Sequence, residues 1–220
     1  KSAPVPQRSA AETELAEFSK TILGSTEDAW HAEFQRRGSN YKVPGMVIFE
    51  GNVQSACGVN SERTGPFYCP GDHKLYLALG FFKQLQQMGA PGDFAQAYVI
   101  AHEVGHHIQN ILGTESKMRQ MQQRDPSNAN QYLVMLELQA DCYAGVWASL
   151  SQQQKNWLDD GDVEEGLQAA ASIGDDTLQR NAGQRVNVES FTHGSSEQRV
   201  HWLRQGMRTG DLTQCNTFGN

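Results

Sequence analysis

The chain has 220 residues and a formal net charge of −7, with 38% hydrophobic and 20% charged residues. This composition is typical of an ordered globular chain with a buried core, and it argues against intrinsic disorder. Because the sequence has no dense cluster of lysine and arginine, it also argues against binding to nucleic acid or to an anionic membrane surface.

The N-terminal stretch KSAPVPQRSA has no initiator methionine and contains Pro4 and Pro6. Prolines at this spacing favour an extended backbone, so we expect a linker over residues 1–8 and a single domain over residues 9–220. We expect the chain to be a fragment or a processed form, which leaves room for a signal peptide or membrane anchor upstream. The sequence contains no run of about 18 apolar residues, so it predicts no membrane-spanning helix within the chain.

Helices and two strands are predicted in the first part of the chain. Ser9-x-x-Glu12 is a capping-box pattern for a first helix, and Ser25 or Thr26 is expected to cap a second. Short apolar segments bounded by glycine or turn residues predict the strands. In order, the expected elements are a helix to about Leu23, a helix to about Gly38, strands at 45–51 and 74–77, and a helix through Phe81 and Phe82 to Gly89.

The rest of the chain is predicted to be mainly helical. Pro91-Gly92 breaks the chain, and Asp93 is expected to cap the next helix. The expected helices cover about 93–113, 128–150, 162–173 and 195–209, and the last two are opened by Asp162-x-x-Glu165 and Ser195-x-x-Gln198. Residues 185–192 are expected to form a short strand or an extended loop. The pattern predicts a helix-rich α+β domain with a small β-sheet before the central helix.

Four cysteines, Cys57, Cys69, Cys142 and Cys215, are spread along the chain. None forms a CxxC pair, which argues against a zinc ribbon or a thioredoxin-type motif. An even number of dispersed cysteines favours two disulfides in an oxidising compartment, with four reduced thiols as the alternative. Because Cys57 and Cys69 bracket one loop, they are a natural local pair, which leaves Cys142 to pair with Cys215.

Residues 102–106, HEVGH, form an HExxH motif on the helix expected at 93–113. Residues four apart lie about 40° apart around a helix, so His102 and His106 can bind one metal ion. Glu103 lies on the same side, about 60° from His106, where it can contact a metal-bound water without binding the metal. This is the position that a general base needs.

The apolar residues of this helix form a stripe roughly opposite the HExxH face, at Ala97, Ala101, Val104, Ile108 and Ile111. The helix can therefore pack one side into a core and present the other to a cleft. A surface helix with solvated histidines is the alternative. His107 lies about 100° from His106 and has no imidazole four residues earlier, so we expect it to pack or to support the site.

Glu137 and Asp141 are the only charged residues between Asp125 and Lys155, in a helix with apolar residues on nearly every face. Two carboxylates spaced i, i+4 on a buried face repel each other unless a cation or a histidine compensates them. Since a catalytic zinc ion has three protein ligands, Glu137 is the economical third ligand, and Asp141 is expected to accept a hydrogen bond from a ligand imidazole. A solvated stripe on a partly exposed helix is the alternative.

The segments HEVGH and ELQAD resemble the gluzincin metallopeptidases, in which two helices carry HExxH and ExxxD. The chain is similar to the bacterial neutral zinc metallopeptidase family (YpfJ-type) through YVIAHEVGHHIQN, LELQADCYAGVWA, FTHGSSEQRVHWLRQG and QCNTFG. The resemblance extends from about Val43 to the C-terminus. It implies a zincin-like domain, one zinc ion per chain bound by His102, His106 and Glu137, Glu103 as the base, and Asp141 as the partner of His102.

The segment that begins at His193 resembles a His-x5-Arg element near the end of another gluzincin family. His193 and Arg199 occupy the two positions here, but Gly194 replaces a proline. In that family the pair faces the reacting carbonyl, which implies that His193 donates a hydrogen bond to an oxyanion. A surface histidine is the alternative, and Arg199 is equally expected to hold the loop or to pair with a carboxylate.

These observations predict a zinc-dependent metalloendopeptidase that hydrolyses a peptide or protein substrate by means of a zinc-bound water activated by Glu103. The resemblance to zincins implies an edge strand that pairs with the extended substrate, and we place this strand within residues 64–77. The alternatives are a non-catalytic zinc-binding scaffold of the same fold and a zinc hydrolase of non-peptide, cell-wall amides. The expected disulfides favour an extracytoplasmic location, whether periplasmic, secreted or membrane-anchored.

Overall fold

The computed structural model describes residues 7–219, and helices make up most of them. The helices are α1 (Ala10–Arg36), α2 (Leu79–Gln87), α3 (Asp93–Ile111), α4 (Thr114–Arg124), α5 (Ala129–Lys155), α6 (Asp160–Ser172), α7 (Asp175–Asn181) and α8 (Ser196–Thr209). The strands are β1 (Gly45–Phe49), β2 (Asn52–Ser55), β3 (Gly58–Ser61), β4 (Phe67–Cys69) and β5 (Lys74–Ala78). The predicted α+β class, with its strands before the HExxH helix, is confirmed.

The first helix is longer than expected. Its start follows the predicted capping box, because the Ser9 hydroxyl accepts the N–H of Glu12 while the Glu12 carboxylate accepts the N–H of Ser9. The prediction of a helix break near Ser25 is wrong, since α1 continues to Arg36. Ser25 and Thr26 are buried within it, and their hydroxyls donate to main-chain carbonyls three residues earlier. Hydroxyls satisfied in this way do not need to cap a helix.

A three-stranded sheet has the strand order β1–β5–β4, with β1 parallel and β4 antiparallel to the central strand. β2 and β3 form a separate antiparallel hairpin. β4 is an outer strand, and its second edge pairs with no strand within residues 7–219. It lies in the stretch where an edge strand was expected, and such an edge leaves main-chain groups available for pairing.

The main hydrophobic core lies around α5, which packs against α1, α3 and α8. Trp30 of α1 and Trp147 of α5 are fully buried in it. Glycines allow α8 to approach α5 very closely, because a side chain at Gly206 would collide with the carbonyl oxygen of Cys142. This close approach sets the position of the residues that α8 directs toward the site.

Two disulfides join Cys57 to Cys69 and Cys142 to Cys215, so both expected pairs are present. The first connects the turn of the β2–β3 hairpin to the end of β4. The second connects α5 to the C-terminal segment. Because disulfides form and persist in oxidising environments, both bridges fit an extracytoplasmic location.

Several later elements differ from the expectations. α6 is capped by Asp159 and Asp162 rather than by Asp162 and Glu165, so it begins earlier than expected. Residues 185–192 form no strand and contain a short 3-10 helix at Val188–Ser190. The hairpin, α4 and α7 were not predicted, because the hairpin strands and α7 are short and α4 is strongly polar. The capping box of α8, Ser195 with Gln198, was predicted correctly.

Most of the expected linker, residues 1–6, lies outside the described residues, and the single domain over 9–220 stays a prediction. Within the described part of the chain, no helix combines the length and the apolar character that a membrane span requires.

Candidate metal centre

α3 carries the HExxH motif, and its burial fixes the direction in which the motif faces. The predicted stripe lies in the core, where Ala97, Ala101, Val104 and Ile108 are at most 1% exposed. The prediction that Asp93 caps this helix is wrong, since Gly92 occupies the cap position. The carboxylate of Glu165 instead accepts the N–H of Phe94 at 2.9 Å and satisfies a free main-chain donor of the first turn.

The structure brings together one ligand-type atom from each of His102, His106 and Glu137. His102 Nε2 lies 2.9 Å from Glu137 Oε2 and 3.1 Å from His106 Nε2, and the atoms of His106 and Glu137 lie 3.2 Å apart. Ligand atoms around a tetrahedral zinc ion lie about 3.3 Å from one another, given bonds of about 2.0 Å. The triangle therefore has the size of a three-ligand zinc site.

The other nitrogen of each imidazole faces a hydrogen-bond acceptor. His102 Nδ1 lies 2.8 Å from Asp141 Oδ1, and because an ionised carboxylate only accepts, this nitrogen carries the hydrogen. His106 Nδ1 lies 2.9 Å from Gln109 Oε1, and the Gln109 amide nitrogen is turned away because it donates to two oxygens of α5. Both neutral imidazoles would therefore direct Nε2 lone pairs toward the carboxylate of Glu137.

Three electron-rich atoms this close together attract positive charge. Burial lowers the pKa of His102, but Asp141 and Glu137 outweigh it and raise the pKa to about 10. Burial also raises the pKa of Glu137, yet the two histidines hold it well below its usual value. A divalent cation would satisfy the same atoms in place of protons. The donor set fits zinc, because imidazole nitrogen and carboxylate oxygen are usual zinc ligands.

Close contact between α3 and α5 brings Glu137 to the two histidines, which lie 35 and 31 positions earlier in the chain. The contact occurs at Gly105, within the HExxH motif. A Cβ atom there would lie 2.9 Å from the carbonyl oxygen of Ala140 and 3.1 Å from its Cα atom. A glycine is therefore needed at this position for the two helices to lie this close.

Asp141 connects the centre to the core from behind His102. Its carboxylate also accepts hydrogen bonds from Tyr98 Oη at 2.5 Å and from Arg199 Nε at 2.9 Å. The guanidinium of Arg199 also donates hydrogen bonds to Tyr98 Oη and to the carbonyl oxygen of Ile173. Arg199 is only 3% exposed, so its role here is to compensate a buried carboxylate, one of the two roles expected for it.

Glu103 lies in the same cleft as the ligand triangle but outside the triangle itself. It is 8% exposed, and no hydrogen bond from another described residue stabilises its carboxylate. Burial raises the pKa of Glu103, while the charges of His102 and His106 act in the opposite direction and are outweighed. A carboxylate with a raised pKa and free oxygens can exchange protons with a bound water.

The other two histidines of interest lie in different surroundings. His193 lines the cleft and its side chain is 49% exposed. His107 is fully buried and does not reach the triangle. It donates through Nε2 to the carbonyl oxygen of Lys42 at 2.6 Å and accepts from Tyr68 Oη at 2.8 Å. His107 therefore packs α3 against β4, in agreement with the packing role expected for it.

A cleft of about 530 Å³ lies over the ligand triangle. Apart from the site residues and Arg63, its lining is uncharged and largely apolar. Phe81 and Gln84 of α2 and Met88, which follows the helix directly, line the cleft at helical spacing, and the edge strand β4 contributes Phe67 and Tyr68. A larger cavity of about 920 Å³ between α1 and α2 contains none of the expected site residues.

Two supporting residues were not predicted: Gln109, which contacts His106, and Tyr98, which donates to the Asp141 carboxylate beside His102. Tyr98 precedes His102 by four positions and Gln109 follows His106 by three, so both lie on the motif's own face of α3. A search along that face for hydrogen-bonding side chains would have found them. Asp175, which holds the loop of His193, was also not predicted, and it has no sequence signal because the contact joins distant segments.

Fold and site together define a class of protein: a helix-rich α+β domain in which two helices bring a His-His-Glu group together in a form suited to a metal ion. The chain belongs to the family described as "Putative neutral zinc metallopeptidase", whose profile matches residues 2–218. This is the family that the sequence resembles, so that expectation is confirmed.

Relatives in two bacteria illustrate the extent of the match. The chain is 49% identical over 210 residues to "Uncharacterized protein YpfJ" of Escherichia coli (strain K12), covering 94% of this chain and 73% of that protein. It is 43% identical over 189 residues to "Uncharacterized protein Rv2575" of Mycobacterium tuberculosis (strain ATCC 25618 / H37Rv), covering 81% of this chain and 63% of that protein. No solved structure matches the chain significantly.

Proposed function

We propose that the chain is a zinc-dependent endopeptidase of the gluzincin type, with one zinc ion bound by His102, His106 and Glu137. The observation that carries the proposal is the convergence of three ligand atoms at 2.9–3.2 Å beside Glu103, a carboxylate outside the triangle. Membership of the family supports zinc as the metal. A purely structural zinc site would give Glu103 no role, since such sites are closed by four protein ligands.

The chain's own residues supply the proton transfers of peptide hydrolysis. Zinc, when bound, contributes Lewis acidity, which makes water more acidic and polarises the substrate carbonyl. Glu103 takes the proton of the attacking water and later delivers it to the amine of the leaving product. The raised pKa of Glu103, which burial causes against the influence of both histidines, suits a group that must both accept and return a proton.

The cleft supports an extended peptide as the substrate. β4 contributes Phe67 and Tyr68 to its lining, and among residues 7–219 the outer edge of this strand pairs with no other strand, so its main-chain groups are available to a peptide backbone. Phe81 of α2, Met88 directly after that helix and Val99 of α3 add apolar surface to the cleft. We therefore expect cleavage next to large apolar side chains, because these gain most from burial against such a lining.

The experiment compares the zinc-loaded wild type with Glu103→Gln on a proteome-derived peptide library, with products identified by mass spectrometry. We expect the wild type to cleave at interior bonds and Glu103→Gln to lose about a thousandfold in kcat/KM, because an amide cannot accept the proton. Glu164→Gln, which changes an exposed glutamate on α6, is the matched control and should cleave as the wild type does.

Equal cleavage by the wild type and Glu103→Gln would contradict the proposed mechanism. Zinc-loaded wild type that cleaves no peptide at all would contradict the peptidase proposal. In that case a zinc-binding scaffold or a hydrolase of cell-wall amides would be the better account, and a screen of non-peptide amides would separate these two.

A further inference from the structure

Asp175 is the first residue of α7, and its carboxylate binds three consecutive main-chain N–H groups of a distant loop. Oδ2 accepts from the N–H groups of Thr192, His193 and Gly194 at 2.9, 2.7 and 2.9 Å. In return the N–H of Asp175 donates to the carbonyl oxygen of Gly194 at 2.9 Å. These four hydrogen bonds, which we term the Asp175 clamp, hold the loop that carries His193.

The charge of Asp175 and the backbone conformation of Gly194 both favour the Asp175 clamp. Burial raises the pKa of Asp175, but His193 and the main-chain donors outweigh it and lower the pKa below its usual value. The carboxylate is therefore ionised at neutral pH. Gly194 has a φ of +102°, a conformation that favours glycine and that proline cannot adopt. Proline would also lack the N–H that Gly194 gives to Asp175.

The clamp determines which atom of His193 is available in the cleft. His193 Nδ1 lies 2.9 Å from Thr192 Oγ1 and 3.5 Å from Asp175 Oδ1, so this side of the ring faces the loop and the clamp. The half-exposed ring lines the same cleft as Glu103. With Nδ1 engaged, Nε2 is the ring atom left to meet a molecule bound in the cleft.

We propose that Asp175 is a positioning residue for the reaction: its carboxylate fixes the loop at 192–194 and thereby presents His193 Nε2 to the substrate. This inference rests on the proposed peptidase function. A positioning residue acts through another group, so its loss should lower turnover only while His193 is present. A carboxylate that merely stabilises the fold would lower turnover equally with or without His193.

The experiment is a double-mutant cycle of Asp175→Asn and His193→Ala in the zinc-loaded chain, with Asp160→Asn as the matched control. Asp160 is likewise the first residue of a helix, α6, but it is exposed. We expect kcat to fall about a hundredfold for His193→Ala and at least about tenfold for Asp175→Asn. In the His193→Ala background, Asp175→Asn should change kcat less than about twofold, since the two act as a unit.

Amide hydrogen exchange provides a second readout that does not depend on activity. We expect the amides of Thr192, His193 and Gly194 to exchange about tenfold faster or more in Asp175→Asn, because their charged acceptor is lost. Zinc content should stay that of the wild type in this variant and in the control. Should Asp175→Asn fail to fold, Asp175→Glu replaces it, since it keeps the charge and displaces it by one methylene.

An equal loss of kcat with and without His193 would overturn the positioning role, and so would unchanged exchange at the three amides. A different result would contradict the proposed function: a zinc-loaded wild type that cleaves no peptide. That result would also contradict a positioning role for Asp175 in peptide cleavage. The exchange rates then still decide whether the clamp holds the loop.

Discussion

Asp141 is the residue at which the candidate metal centre and the hydrophobic core meet. Its side chain is completely buried, and such a charge is costly unless it is paired and hydrogen-bonded. Arg199 supplies the counter-charge, while Tyr98 and His102 supply further donors. Burial raises the pKa of Asp141, but Arg199 and His102 lower it to about 2. The ionised carboxylate thus fixes the tautomer and the orientation of His102.

We expect Asp141→Asn to lower the free energy of unfolding by about 3 kcal/mol or more, because Arg199 is left buried without its partner. Zinc affinity should fall about 10- to 100-fold, since the group that orients His102 is weakened. Denaturant unfolding and a competitive zinc titration measure the two effects. Asp125→Asn is the control, since Asp125 also accepts a hydrogen bond from a tyrosine but is only partly buried. Unchanged zinc affinity in Asp141→Asn would contradict the role given to Asp141.

The role of a site residue could be predicted from the sequence where it follows from the spacing of residues within one helix. HExxH on α3 and the isolated Glu137 and Asp141 on α5 each have i, i+4 spacing, and the structure brings these groups together. Which partner Arg199 takes depends on how α8 packs against α5, and no local pattern encodes that. The role of Asp175 could not be predicted for the same reason, because its contacts with the loop of His193 span 17–19 positions.

At the scale of elements, glycines set how closely the helices that build the site can lie. Gly105 allows α5 to contact α3, and Gly206 allows α8 to contact α5. The first contact brings Glu137 to the histidines, and the second brings Arg199 to Asp141. Both contacts depend on the absence of a single Cβ atom, so the geometry of the centre is sensitive to very small changes in volume.

Gly105→Ala tests this sensitivity. Alanine is the better helix former, but a Cβ atom 2.9 Å from the oxygen of Ala140 must push α5 away. We expect the free energy of unfolding to fall by about 1–3 kcal/mol and zinc binding to weaken, because Glu137 moves with α5. The control is Gly24→Ala in α1, where nothing lies within 4 Å, and there we expect a gain of up to about 1 kcal/mol. Equal behaviour of the two variants in unfolding would show that the close approach is unimportant.

Element boundaries could be predicted where a cap is local, as at Ser9 and Ser195. The division of α1 at Ser25 failed because burial between α1 and the core overrides the preference of serine and threonine for helix ends. The cap of α3 was misassigned for a related reason. Its first turn is satisfied by Glu165, a residue 71 positions later, and not by Asp93.

At the scale of the whole molecule, the site is assembled from distant segments that covalent bridges help to hold. One bridge connects the hairpin to β4, the edge strand of the cleft, and the other connects α5 to the C-terminal segment across 73 positions. Closing a loop of that length stabilises a fold by about 4 kcal/mol in the chain-entropy model. The pairing was predictable from the spacing of the cysteines, whereas an edge strand within residues 64–77 was expected only from the resemblance to zincins and not from a pattern in its own sequence.

The zinc content of purified chains tests the central claim most directly, because it separates ligands from the neighbouring base without relying on any substrate. We predict about one zinc ion per chain for the wild type and for Glu103→Gln, and a content far below one for Glu137→Gln measured under the same dialysis conditions. Full zinc in Glu137→Gln, or its loss from Glu103→Gln, would contradict the assignment of Glu137 as ligand and Glu103 as base.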